Sequence, residues 1–460
     1  MNTCVGRHAG PEVRRPLSPL ERWYWIADQI SPLPVIARVR LHGRFPAELA
    51  RRALDGLQAR HPLLRVAITT GAGRAAAFVP CPATIPLRHV TATDADAPTR
   101  WQQEINDREL VDRLDWRTGP LLRAVVVARD DDAHDLILTA AHCIADGTTA
   151  LSLLQQWIRI ADGYRTGAGE PPPARVLPAP EDLFPRRHRG TSGALAVVGA
   201  QLRDQIARLR WRPRRVAAST AVPFERRRTG FLHRSLSPAQ VGALAAACRR
   251  EGATVHGALA AAMATAVAED AGTGAGRRVV VGSPVDFRRD LDPPVAPDEV
   301  GAYVATVPSF VTHRPGASLW PAARAVTADL ARRRRRGEHL SMIGLLGWAG
   351  PSDPAASARF VRQVERQGPG NLCLSNLGRH GFPDEIGAWR LSGAQFVAGI
   401  SVSGYFVATV NTTHGRLFWN FTYVDGIVPR TRAERLADAC VTTLLSAVAA
   451  DPHRGGTPVV

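Results

Sequence analysis

Residues 142–147 read His-Cys-Ile-Ala-Asp-Gly, the stretch whose residue types point most directly to chemistry. An imidazole titrates near neutrality and can take a proton from an alcohol or amine as that group attacks a carbonyl. Asp146 stands four residues on, across a turn closed by Gly147. That spacing suits buttressing the loop better than touching the same proton. A His-x-x-x-Asp-Gly string is short and also arises in ordinary loops, so its weight depends on the elements around it.

Apolar alternation predicts strands over Leu121–Ala128 and Asp135–Ala140, with the polar run Arg129–Ala133 turning between them. Beyond the motif, Leu151, Leu154, Ile158 and Ala161 share one helical face. His142 therefore falls at a strand end, before a helix N-terminus. A rigid strand end can hold a ring in a cleft, as a general base requires. Upstream, Ser18 and Glu21 form a capping box that opens a helix over Pro19–Gln29. A strand over Val35–Leu41, a helix over Pro46–Arg60 and a strand at LLRVAI (63–68) follow.

Residues 165–225 break this rhythm with Pro, Gly and Arg, and read as a crossover containing one amphipathic helix, Ala194–Leu209. A second half begins near Arg226. Helices are predicted from Ser237-Pro238 to Arg250, and over Thr254–Glu269, Leu319–Arg336 and Thr431–Ala449. Strands are predicted over Arg277–Arg288, running into a loop, and over Val300–Phe310, 371–378, 396–404, 405–413 and 416–424. Both halves mix strands and helices, giving an α/β chain, and only the first carries the His motif.

The chain has 460 residues, 45% of them hydrophobic, enough for a large core. Its 58 basic residues, all Arg, stand against 41 acidic ones, a formal charge of +17. The absence of Lys reads as the codon bias of a GC-rich genome, but the charge remains and attracts polyanions or acidic proteins. Six Cys are scattered without Cys-x-x-Cys or Cys/His spacing, which fits neither a disulfide framework nor a zinc site and points to a reducing compartment. The first residues lack the apolar run of a signal peptide, and the longest apolar stretch, near Ala258–Ala268, is about half a membrane span. A cytoplasmic protein is expected.

The segment AHCIADGTTALSLLQQW resembles the active-site segment of condensation-type acyltransferases, a strand, then HHxxxDG, then a helix. Within that superfamily it is most similar to free-standing polyketide-associated acyltransferases of the phthiocerol dimycocerosyl transferase type, and to alcohol acetyltransferases. RPLSPLERWYW (15–25), ALDGLQARHPLLR (53–65), GSPVDFR (282–288) and LSNLG (374–378) resemble further family segments, in order along the chain. The resemblance implies two chloramphenicol-acetyltransferase-like lobes, each a mixed sheet with flanking helices, and an active-site tunnel between them. It implies an N-terminal lobe over 1–170, a crossover over 171–225 and a C-terminal lobe over 226–460. His142 matches the catalytic His. Asp146 matches a structural Asp salt-bridged to the Arg that corresponds to Arg288, with Gly147 closing the motif. Ser375 and Asn376 match a strand bordering the tunnel, where they could donate to an oxyanion. The family's first His is Ala141 here.

On this basis the expected activity is transfer of an acyl group from coenzyme A or a carrier protein to an alcohol or amine. No cofactor or metal is expected, the acyl-CoA or phosphopantetheine-linked thioester being substrate. The expected partners are an acyl or peptidyl carrier protein, or acyl-CoA, and a small hydroxyl or amine acceptor. No nucleic acid, no stable membrane insertion and a monomer are expected. The competing readings are amide-forming condensation of tethered intermediates, and a non-catalytic carrier-protein-binding module. Elsewhere, His256 and His414 read as packed or turn residues, Arg332–Arg336 as a solvated helix end or a docking patch, and GTGAGR (272–277) as a turn. GISVSG (399–404) is not a nucleophile elbow.

Overall fold

The computed structural model describes residues 11–450 apart from 72–73, 94, 97, 130–131, 214, 273–276, 368–370 and 401–403. The centres of GTGAGR and GISVSG lie outside the described residues. The first half holds β1 (Arg15–Pro16), α1 (Pro19–Ile30), β2 (Pro34–His42), α2 (Ala47–Arg60), β3 (Val66–Gly71), β4 (Arg74–Pro80), β5 (Leu87–Thr91), α3 (Arg100–Glu104), β6 (Leu122–Ala128), β7 (Ala133–Ala141) and α4 (Gly147–Arg165). The crossover carries α5 (Gly190–Trp211). The second half holds β8 (Thr229–Leu236), α6 (Pro238–Arg250), α7 (Val255–Asp270), β9 (Arg277–Asp286), β10 (Val304–His313), α8 (Trp320–Arg335), α9 (Glu338–Ala349), α10 (Ser357–Gln367), β11 (Leu372–Arg379), β12 (Glu385–Ile386), β13 (Trp389–Ala398), β14 (Phe406–Thr413), β15 (Arg416–Val424) and α11 (Arg430–Ala449).

Two six-stranded sheets carry two lobes. The first runs β12-β13-β2-β7-β6-β5 and the second β10-β9-β11-β14-β15-β8, while β1, β4 and β3 form a small third sheet. The first core packs Trp157, Leu54 and Leu57 against inward-facing residues of β2 and β7. The second packs the Ala-rich α7 against Trp419, Phe421 and Phe406. Small side chains let α7 approach its neighbours closely: a Cβ on Gly257 would meet the Ala323 carbonyl oxygen at 2.5 Å. No described helix is long and apolar enough to cross a membrane.

Local signals explain most boundaries. Ser18 and Ser237 each cap a helix with a full capping box. LLRVAI differs from the expected strand: Pro62–Arg65 forms a 3-10 turn and only Val66 onward pairs. A Pro at the first position favours that tight turn. The strand expected from Val300 starts instead at Val304, because Gly301 and Tyr303 spend backbone groups on the residues after His142.

The larger difference concerns 226–460, expected as one lobe. Its β12 and β13 complete the first sheet, with β13 antiparallel to β2 (Phe396 opposite Ala37). Polar side chains of β14 and β15 zip the two sheets together. Asn411 donates to the Ala394 carbonyl at 2.9 Å, Asn420 to the Phe396 carbonyl at 3.0 Å, and Thr409 to the same carbonyl at 3.0 Å. Buried polar groups need partners, and here the partner is the backbone of a strand that has changed sheets. The crossover also touches both lobes. The Arg60 carbonyl accepts from Ala174 N, and Arg175 pairs with Glu299.

Candidate active site

Strand β7 ends at Ala141, and residues 142–144 turn, with Ile144 N donating to the Ala141 carbonyl at 3.0 Å. Ala141, Cys143, Ile144 and Ala145 are buried in the first core. Apolar neighbours on both sides thus fix the turn, and His142 alone among residues 141–147 is partly exposed. Cys143 points into the core, and burial raises its thiol pKa well above the usual value, so it stays a neutral thiol.

The His142 ring lies flat against Tyr24 of α1, with centroids 3.9 Å apart and planes 5° from parallel. The Tyr24 hydroxyl donates to the Val304 carbonyl of β10 at 3.1 Å. Tyr24 therefore braces the imidazole and ties α1 to the second lobe. Nδ1 of His142 is buried and has no hydrogen-bond partner among the described residues. Burial lowers the His142 pKa below its ordinary value, against an opposing pull from the nearby backbone and the Asp146 charge. A lowered value keeps the ring neutral at pH 7, the state a proton acceptor needs.

Asp146 N-caps α4, accepting from Thr149 N at 3.0 Å. The same carboxylate receives both Nη atoms of Arg288, at 2.9 and 3.0 Å, and the Tyr303 N–H at 2.8 Å. Arg288 also donates to Thr149 Oγ1 at 2.6 Å and to Asp286 at 2.9 Å, and lies 4.7 Å from the Tyr303 ring centroid. Thr149 in turn donates to the Gly301 carbonyl at 2.7 Å. Residues from both lobes thus form one hydrogen-bonded node around the buried Asp146–Arg288 pair. Burial alone would raise the Asp146 pKa, but Arg288 and two backbone N–H groups outweigh it and hold it below the usual carboxylate range. Burial opposes the Arg288 charge too, and Asp146 and Asp286 overcome it.

Gly147 opens α4 where Phe396 of β13 presses on the helix. A Cβ there would stand 2.7 Å from two ring carbons and 3.2 Å from Leu377 Cδ1. Gly147→Ala is expected to cost about 1–3 kcal/mol by overpacking, read as a lower denaturation midpoint. An unchanged midpoint would mean that Phe396 yields freely.

Ser375 and Asn376 fall on opposite faces of β11. Leu377, two residues beyond Ser375, stands close to Gly147, which puts the end of β11 beside the His142–Gly147 turn. The Asn376 side-chain oxygen accepts from Gly378 N at 2.8 Å, within the irregularity that shifts the register of β11 against β14 before pairing resumes at Arg379. That oxygen serves its own strand end. His256 bonds Ser283 at 2.9 Å, and His414 occupies a left-handed turn position facing the Pro383 carbonyl at 3.1 Å. Neither touches the node. In the Arg332–Arg336 run, Arg333 is buried in an ion network with Asp204, Asp329 and Glu338, while its four neighbours in the run are exposed.

Tyr24, Thr149 and Tyr303 join the site without a motif to announce them. Tyr24 sits in the WYW of the capped opening helix, and Thr149 is three residues past Asp146, a normal place for a hydroxyl in the first helical turn. Tyr303 can be found only once the lobes are assembled. Tyr24→Ala is expected to relieve the burial of His142 and move the acidic limb of the rate profile up in pH. Tyr24→Phe keeps the stack and should leave the limb in place. Identical limbs in both variants would mean that the stack does not tune the ring.

Among known proteins, residues 226–385 match the family described as phthiocerol/phthiodiolone dimycocerosyl transferase C-terminus. One of the linear gramicidin synthase polypeptides of Brevibacillus parabrevis is 27% identical over 59% of this chain and 4% of its own length. Phosphinothricin tripeptide synthetase PhsC of Streptomyces viridochromogenes is 32% identical over 34% of this chain and 15% of its own. The chain thus spans a small part of the curated relatives it matches. In three dimensions it is similar to the first condensation domain of the calcium-dependent antibiotic synthetase, with TM-score 0.71, 17% identity, and 96% and 97% of the two chains covered. It is also similar to polyketide synthase associated protein 5 from Mycobacterium tuberculosis, with TM-score 0.66, 19% identity, and 95% and 99% covered. The fold is therefore the two-lobed chloramphenicol-acetyltransferase-like one.

Proposed function

We propose that this chain, which has the two-lobed fold of condensation domains and matches the dimycocerosyl transferase C-terminus family over residues 226–385, moves an acyl group from a coenzyme A or carrier-protein thioester to a hydroxyl or amine acceptor. The setting is natural-product or lipid biosynthesis. His142 is the general base. It takes the proton of the acceptor as oxygen or nitrogen attacks the thioester carbonyl. The new C–O or C–N bond gives a tetrahedral oxyanion, to which the Ser375 hydroxyl can donate. Collapse breaks the C–S bond, and the thiolate recovers the proton from the imidazolium. No acyl-enzyme enters this reading, since among the described residues no Ser or Cys hydrogen-bonds His142.

One observation carries this reading: a partly exposed, burial-depressed imidazole on a turn locked to both lobes, by Tyr24 at its face and the Asp146–Arg288 pair at its base. Asp146, Gly147 and Arg288 act as structural residues of the site. A thioester donor is also consistent with a similar structure, the starter condensation domain of rhizomide synthetase, described in complex with C8-CoA (TM-score 0.68, 16% identity).

The test is incubation of the purified chain with acyl-CoA and acyl-carrier thioesters and with hydroxyl and amine acceptors, following thiol release and product mass. An ester mass with thiol release is expected. An amide formed only when donor and amine acceptor are both carrier-tethered would move the reading to peptide-type condensation. Carrier-protein binding that survives His142→Ala, with no turnover of any thioester, would overturn catalysis in favour of a recruitment module.

A further inference from the structure

The crossover helix α5 buries one face and leaves the opposite one bare. Gly193, Val197, Ala200 and Asp204 sit on the protein, with Val197 packed at α9. On the other side Leu195, Val198, Leu202, Ile206 and Leu209 are each between 55% and 75% exposed. Their 3-4-4-3 spacing places all five within about 80° of the helix circumference, along about 21 Å of its length. Soluble proteins scatter exposed apolar residues singly; a continuous stripe marks an interaction surface. α9 runs antiparallel beside it, as Glu338 meets Arg203, Met342 meets Gln201 and Gly344 meets Val197. That register brings Trp348, 58% exposed, beside the N-terminal end of the stripe.

The charges around the stripe choose its occupant. Asp204, the helix's one acidic residue, is buried and bound to Arg333 at 2.9 Å. Arg203, Arg210 and Arg212 are exposed along the helix, and Arg186, Arg187 and Arg189 just before it. The α8 terminus, tied to α5 through Arg333, adds the exposed Arg334–Arg336. A second copy of this helix would set Arg against Arg. An anionic lipid surface instead satisfies both features: apolar side chains enter the acyl boundary, Arg flanks meet lipid phosphates, and a Trp lies at headgroup depth.

We infer that α5, with the end of α9, is a peripheral docking surface for an anionic membrane. The helix lies in the interface plane and holds the enzyme at the bilayer without spanning it.

The test is co-sedimentation of the full chain with phosphatidylcholine vesicles and with vesicles that also contain phosphatidylglycerol. Binding is expected to the anionic vesicles at physiological ionic strength and to weaken as salt is raised. Leu202→Glu/Ile206→Glu should reduce it by about tenfold or more, and Arg210→Glu/Arg212→Glu should weaken it on anionic vesicles. All four side chains are exposed, so melting should stay as in the parent chain, and this is checked alongside. Failure of the parent chain to bind anionic vesicles, or equal binding by the Leu202→Glu/Ile206→Glu variant, would overturn the inference. So would concentration-dependent self-association that this variant abolishes in the absence of any lipid binding, which would make the stripe a contact between copies.

Discussion

His142→Ala is expected to lower turnover by about 10²–10⁴-fold while the protein stays folded. The ring is partly exposed and contacts Tyr24 by one face, so its removal leaves the first core untouched. The neighbouring Ala141, Cys143, Ile144 and Ala145 hold the turn without it. Loss of a group that acts mainly in the transition state should appear in the maximal rate, with little change in the Michaelis constant. Residual turnover should come from positioning of donor and acceptor. Full turnover in the alanine variant would refute the assignment. Loss of turnover accompanied by loss of the folded state would show that the residue serves the fold.

Arg288→Ala is expected to cost about 3–5 kcal/mol of stability, because it leaves a buried carboxylate without its counter-charge. A surface pair would cost far less, but Asp146 and Arg288 are both nearly inaccessible. Their contact is bidentate, and Thr149 and Tyr303 complete the shell. Asp146→Asn should cost less, since an amide can still cap α4. Removing both partners should cost less than the sum of the single changes. The pH dependence follows from the sign of the shift. Asp146 is held below its ordinary value, so its contribution is present above the unfolded carboxylate pKa of about 3.9 and is lost only as pH falls through the lower folded value. The parent chain should therefore keep this stabilisation at neutral pH and lose it in acid, whereas Arg288→Ala should be weakened at neutral pH already. Denaturant midpoints across pH measure both. Additive single changes would mean that the two residues are not coupled.

Much of the fold is legible in the sequence because its signals are local. Alternation marks β6 and β7, a capping box marks α1, Ser237-Pro238 marks the start of α6, and the run from His142 into α4 is visible as strand, turn and helix. What cannot be read locally is what the lobes share. The strand expected over 396–404 lies instead at β13, Trp389–Ala398, and nothing in that stretch says that it pairs with β2. That choice is made by Asn411 and Asn420, which read as strand polars until their backbone partners are known. Tyr24 and Tyr303 belong to the site only through contacts spanning more than 100 residues of sequence. α9 and α10 also lie outside the sequence reading, the first because it is apolar nearly all round and has no clear period.

The decisive experiment on the role of His142 is a structure of the chain with a non-hydrolysable acyl-CoA or acyl-pantetheine analogue. The thioester surrogate is expected between the lobes, its carbonyl carbon within about 3–4 Å of where an acceptor bonded to His142 Nε2 would stand, and its oxyanion position facing Ser375. An analogue bound away from the His142 turn, or a ring edge still sealed against the ligand, would contradict general-base catalysis at this residue.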